Sequence, residues 1–183
     1  MKYWSRSALS IYRYLETMTK SIDKIVLNTG KNSNSNELQR FQTTYFQTNK
    51  IIELIERKRK MINLKVACEQ ALNKIPKQSR KILMLFYIDG VKCDFVAQLL
   101  GISIRTFFRQ KLKALKEFSD SLESLGFDFE YFKKEYGCES WFVSLYDECV
   151  AKSGNIEDLP NSYIISKVIN EVGKVNLAYN TYI

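Results

Sequence analysis

Apolar residues recur at helical spacing along most of the chain, and the pattern predicts an all-α protein. Ala8, Ile11, Leu15, Met18, Ile22 and Ile25 advance in steps of three and four and predict a first helix over 5–27. The polar stretch Asn28–Asn36, with its Asn, Ser and Gly residues, reads as a loop. Leu38, Phe41, Tyr45, Thr48, Ile52 and Ile55, then Ile62 and Val66 beyond an interruption at Arg59, form a second seam and predict a helix over 37–73. Two seamed helices with a short polar connection predict an antiparallel hairpin over 1–73, a candidate for pairing with a second copy.

Three shorter helices follow within 74–125. Pro76 suits a helix start, where its missing N–H costs nothing. Arg80, Ile82, Leu83, Leu85 and Phe86 carry that helix to the turn dipeptide Asp89-Gly90. A second helix over 91–100 is expected to bury Val91, either Phe95 or Val96, Leu99 and Leu100, with Asp94 favourably placed in its first turn. Gly101 supplies a left-handed residue to end it, and Ser103 can cap the next helix. Two helices joined by such a turn form a helix-turn-helix, whose second helix can enter the DNA major groove.

At about 100° per residue, Phe107, Ala114, Leu115 and Phe118 fall on the core side of this second helix. Arg105, Arg109, Lys113 and Lys116 fall opposite, with Leu112 among them. A solvated surface helix usually mixes charge signs, because Glu–Lys pairs at i, i+4 support it. From Ile102 to Lys116 the charged residues are Arg105, Arg109, Lys111, Lys113 and Lys116, all basic. That is the composition a helix approaching phosphates needs.

The pattern I-P-x-x-x-R-x-I-L-x-L-x-Y-x-x-G, then V-A-x-x-L-G-I-S-x-x-T, then Ala114-Leu115, resembles region four of bacterial sigma factors. Arg105-Thr106-Phe107-Phe108-Arg109 with Lys111 is closer still to ArpU-type phage transcription regulators. Phe95 stands where that family usually has Glu, and Lys92 where it has a capping Ser or Thr. The resemblance implies a DNA-binding regulator, with a promoter or phage late-gene control site as target and RNA polymerase as candidate partner. Placed on this chain, Ile104, Arg105, Phe108 and Arg109 would face base edges. Lys92, Lys113 and Lys116 would hold phosphates, and Ser103 and Thr106 complete the candidate surface.

Residues 126–183 extend beyond that resemblance. Phe127, Phe129, Tyr131, Phe132, Tyr136, Trp141, Phe142 and Tyr146 are too aromatic for a disordered acidic tail. Helices are expected over 139–152 and 161–172, with a loop at Gly154-Asn155. Cys138 and Cys149 would lie about 16 Å apart along one helix, too far for a disulfide.

Charge divides unevenly along the chain. Residues 1–76 carry +8, residues 77–118 carry +6, residues 119–159 carry −7 and the remainder +1. Such asymmetry points to a polyanion partner, with the acidic segment a candidate to fold back over the basic helix. The run Arg57-Lys58-Arg59-Lys60 is read first as a solvated collar and second as a DNA-backbone contact. The N-terminal aromatics Tyr12, Phe41 and Tyr45 are read as packing residues. The chain has no His, and its four cysteines lack C-x-x-C spacing, so metal binding, cofactor use and enzymatic activity find no residue support. No apolar run reaches 18 residues and no secretory signal opens the chain, so a reduced cytoplasmic setting is expected. Two other readings stay open: a small sigma factor with a diverged region two, and a protein-docking adaptor on the same fold.

Overall fold

The computed structural model describes residues 2–31, 37–151 and 162–171, and it is all-α. The elements are α1 (Tyr3–Lys31), α2 (Glu37–Lys74), α3 (Lys77–Leu83) running into a π-helical turn (Met84–Ile88), α4 (Cys93–Leu99), α5 (Ile104–Ser124), α6 (Phe129–Tyr136), α7 (Ser140–Ala151) and α8 (Ser162–Glu171). No strand occurs among the described residues.

The seam expected on α1 is the core. Ala8, Ile11, Leu15, Met18 and Ile22 are fully buried, and Ile25 is half-buried. Each large aliphatic side chain buried this way contributes about 1.5–3 kcal/mol. The first two turns go further: every residue from Trp4 to Ile11 is buried, polar ones included. Those turns are enclosed because α1 packs against α2, the π-helical turn, α5 and α7. Arg6 hydrogen-bonds the Tyr87 hydroxyl of the π-helical turn, and burial pushes that phenol well above its ordinary pKa. The helix also continues four residues beyond the expected end, to Lys31; the rest of the expected loop, 32–36, lies outside the described residues.

Helix α2 runs antiparallel to α1: Tyr12 donates to Glu69 at 2.7 Å, and Lys58 to Asp23 at 2.6 Å. The face it buries is a correction to the sequence pattern. Tyr45, Ile52, Ile55, Ile62 and Val66 are exposed, whereas Leu54, Met61, Leu64, Ala67, Cys68, Ala71 and Leu72 are buried. The side chains of Leu38 and Phe41 lie outside the described residues. The helix is apolar on two sides, and the stripe containing small residues packs inward. Ala67, Cys68 and Ala71 let a neighbouring helix approach closely, which favours ridge-into-groove packing there.

Helix α3 is tied to the end of α2 by Arg80, which donates to the Asn73 carbonyl at 2.8 Å, near the negative end of the α2 dipole. The π-helical turn replaces the plain helix expected up to Asp89. Its wider winding, closed by Asp89 N–H to the Met84 carbonyl at 2.9 Å, buries the adjacent rings of Phe86 and Tyr87 together. Gly90 then takes a left-handed conformation, φ +69°, against the Arg13 guanidinium, which a Cβ would strike.

The C-terminal extension builds an aromatic cluster on the start of α1. Trp4 lies 4.7 Å from Phe132, which stacks on Phe142 at 5.6 Å. Helix α6 was not expected from sequence; Asp128 caps it by accepting from the Tyr131 N–H at 2.9 Å. Helices α7 and α8 fall where helices were expected, within two residues at each end; the Gly154-Asn155 loop lies outside the described residues. All four cysteines are free.

A buried carboxylate anchors this extension to the basic run. Glu139 accepts from Arg57 at 3.2 Å, Lys60 at 2.8 Å and the Trp141 indole at 3.0 Å. Tyr136 adds a bond to the Lys60 carbonyl at 3.0 Å. Lys58 and Arg59 pair with Asp23 and Glu56, so every cation of the run has a carboxylate partner. Removing the carboxylate leaves two largely buried cations without it, a change that typically costs about 3–5 kcal/mol. Glu139→Ala should lower the urea midpoint by a corresponding amount, and Glu56→Ala, on an exposed pair, by under about 1 kcal/mol.

Candidate nucleic-acid interface

Residues 74–125 position the candidate surface through two matched helix ends. Helix α4 ends in a Schellman motif: Gly101 N–H bonds the Gln98 carbonyl and Ile102 N–H the Ala97 carbonyl, both at 3.1 Å. Gly101 sits at φ +64°, the left-handed residue the motif requires. Gly126, φ +85°, ends α5 by the same bonding from Gly126 to Glu123 and Phe127 to Leu122. Ser103 caps α5 by accepting from the Thr106 N–H at 3.2 Å, and its hydroxyl lies 2.9 Å from that of Thr106.

Helix α4 docks through Val96 and Ala97. Val96, not Phe95, is the buried residue of the pair, and Leu99 is a correction. Phe95 is 61% exposed and Leu99 60% exposed, one turn apart on the outer face. A seven-residue helix presents too little surface to bury both sides, and α5 takes only one.

Helix α5 divides as its sequence pattern predicts. Phe107, Ala114, Leu115 and Phe118 are buried. Arg105, Arg109, Lys113 and Lys116 are exposed along the opposite side over about 16 Å, with Leu112 and Ile104 partly exposed beside them. The first turn holds no acidic residue, so no carboxylate there offsets the positive end of the helix dipole. Lys113 has a loose contact with Glu117 at 3.8 Å, exposed enough to exchange for a phosphate.

The remaining expected residues divide in a useful way. Lys92 is exposed at the start of α4, without a capping bond from its side chain. Ser103 and Thr106 are engaged with each other at the cap. Phe108 is half-buried, with its ring 5.4 Å from that of Phe107, so part of it belongs to the core rim. Lys111 is the basic residue whose placement sequence reasoning missed. It is fully buried, its ammonium 3.5 Å from the centre of the Phe86 ring. The available signal was its spacing, four residues from both Phe107 and Leu115, which turns it toward the core.

Among the described residues, 119–151 of the acidic segment do not lie over this surface as expected from charge alone. Asp120 and Glu123 pair with Lys2, and Glu139 with Arg57 and Lys60. The attraction is satisfied by cations of α1 and α2.

Residues 65–118 match the family model described as sigma-70, region 4. No curated protein and no solved structure matches the chain. The matched segment is under a third of the chain and coincides with the end of α2 through α5. This part of the molecule is a sigma-region-four-like helix-turn-helix, a DNA-binding domain of the kind that transcription proteins carry. Among the described residues no helix is long and apolar enough to cross a membrane.

The two kinds of lysine on α5 give a direct check. Lys113→Ala should reduce the slope of log affinity for duplex DNA against log salt by about one unit. Lys111→Met, which keeps the stem and removes a buried charge, should leave that slope unchanged. Equal effects of the two substitutions on the slope would show that Lys111 reaches phosphate.

Proposed function

We propose that this protein is a sequence-specific, double-stranded DNA-binding transcription regulator of the ArpU-like phage type, acting in the cytoplasm together with RNA polymerase. The observation that carries the reading is the unbroken row of exposed cations on α5, set within a helix-turn-helix and backed by a buried aromatic core. Arg105 and Arg109 lie in the first two turns, the part of such a helix that reaches base edges. An Arg there can pair bidentately with guanine, discriminating against a wrong base by about 1–3 kcal/mol. Lys113, Lys116 and Lys92 set the protein's position on the phosphates. The reading includes neither a cofactor nor a reaction.

A small sigma factor is the second reading, favoured by the family match itself. It separates from the first by one assay: a sigma factor alone directs core polymerase to start at a promoter, and a regulator does not.

Arg109→Ala and Lys116→Ala test the assignment of roles on one helix face. Affinities for cognate and scrambled duplexes are measured at several salt concentrations. Arg109→Ala should weaken cognate binding more than scrambled binding and relax preference at one or two base pairs. Lys116→Ala should weaken both alike and lower the salt slope by about one unit. Equal loss on both duplexes for Arg109→Ala would contradict base reading by this face.

A further inference from the structure

Helix α2 carries two apolar stripes, and the fold buries one of them. The other consists of Tyr45, Thr48, Ile52, Ile55, Arg59, Ile62 and Val66, and it is exposed along its length; Tyr45 is 66% exposed, Ile52 53%, Ile55 51%, Ile62 46% and Val66 44%. The steps between these positions alternate three and four without a break. That is a repeat of 3.5 residues, the period of a seam that packs knobs-into-holes against another helix. The inward-facing stripe keeps similar steps from Met61 through Leu64, Cys68 and Ala71 to Ile75, but those positions are already covered by the fold. The exposed stripe runs about 31 Å at 1.5 Å per residue.

The two polar members decide which helix fits. Pairing α2 in parallel and in register with a second copy sets Arg59 against Arg59, like charges inside a seam. Turned antiparallel, the stripe complements itself. With Ile52 opposite Ile55 of the second copy, Tyr45 meets Ile62, and Thr48 meets Arg59, so that polar faces polar and apolar faces apolar. The flanking positions are compatible: Ile51 falls beside Lys58 of the second copy and Asn49 beside Glu56, with no like charges opposed. Two-fold symmetry repeats every one of these contacts, which closes the assembly at two copies.

We propose that this exposed stripe is the contact of a homodimer in which the α2 helices of two copies pack antiparallel, Ile52 against Ile55 and Thr48 against Arg59 of the second copy. The arrangement narrows the pairing surface anticipated over residues 1–73 to one face of one helix. It is independent of whether α5 reads DNA.

Sedimentation equilibrium of the full chain tests it, with wild type, Ile62→Glu and Thr48→Glu compared at low and high salt. The wild type should be a dimer at high micromolar concentration. Ile62→Glu buries a carboxylate opposite Tyr45 and should raise the dissociation constant about a hundredfold or more. Thr48→Glu places a carboxylate opposite Arg59 of the second copy at two symmetric points, and should lower the dissociation constant about two- to thirtyfold at low salt. High salt should remove that gain. Far-UV circular dichroism checks that each variant keeps its helix content, and misfolding cannot mimic a tightening. A monomeric wild type, an Ile62→Glu dimer of unchanged affinity, or a Thr48→Glu dimer weaker than wild type would each overturn the proposal.

Discussion

The enclosure of α1 is the constraint on which the rest of the structure depends. Its first two turns are buried on every side, so four other elements must meet around them. The helix packs against α2, the π-helical turn, α5 and α7, and Trp4 meets Phe132 of α6. The helix-turn-helix is therefore held by its back against a helix that also carries the C-terminal aromatic cluster. Trp4 and Arg6 show the two modes of attachment: Trp4 packs on Phe132, and Arg6 bonds Tyr87. A recognition helix fixed this way can present Arg105 and Arg109 at a defined angle, which base reading requires.

Charge is sorted by the same packing. Lys2 draws Glu123 at the end of α5, and Arg57 and Lys60 of α2 draw Glu139, the contact that docks the extension. Arg105, Arg109, Lys113 and Lys116 of α5 are left facing outward, Lys113 in a loose contact with Glu117. Of the basic residues singled out in sequence, Arg57, Lys58 and Lys60 pair across elements of the fold and Arg59 pairs within α2, whereas those at 105, 109, 113 and 116 are available to a polyanion. Burial and pairing separate the two groups; net charge does not.

Much of this was legible in the residues. The α1 seam, the Gly101-ended α4 and the two-sided character of α5 follow from apolar spacing and end signals, because each is a local property of the chain. Three features were not. Helix α2 is apolar on two faces, and periodicity alone could not say which one α1 would take; the small residues Ala67, Cys68 and Ala71 decide it through closeness of approach. The π-helical turn arises because Phe86 and Tyr87 must both reach the core, a tertiary demand that overrides a regular helix. Leu99 turns outward because a short α4 offers one buried face, and Lys111 turns inward because its position lies between Phe107 and Leu115. On the candidate surface the four outward cations were found from sequence, while the engagement of Ser103, Thr106 and Phe108 with the helix cap and core rim depends on side-chain geometry.

Recovery of bound fragments from a pool of random duplex DNA by the full chain tests the central claim most directly. A helix-turn-helix whose α5 reads bases should repeatedly enrich a short motif of a few adjacent base pairs, at a salt concentration that suppresses non-specific binding. Retention of the pool without enrichment of any motif would mean that the cations of α5 hold phosphates only, and would contradict the account.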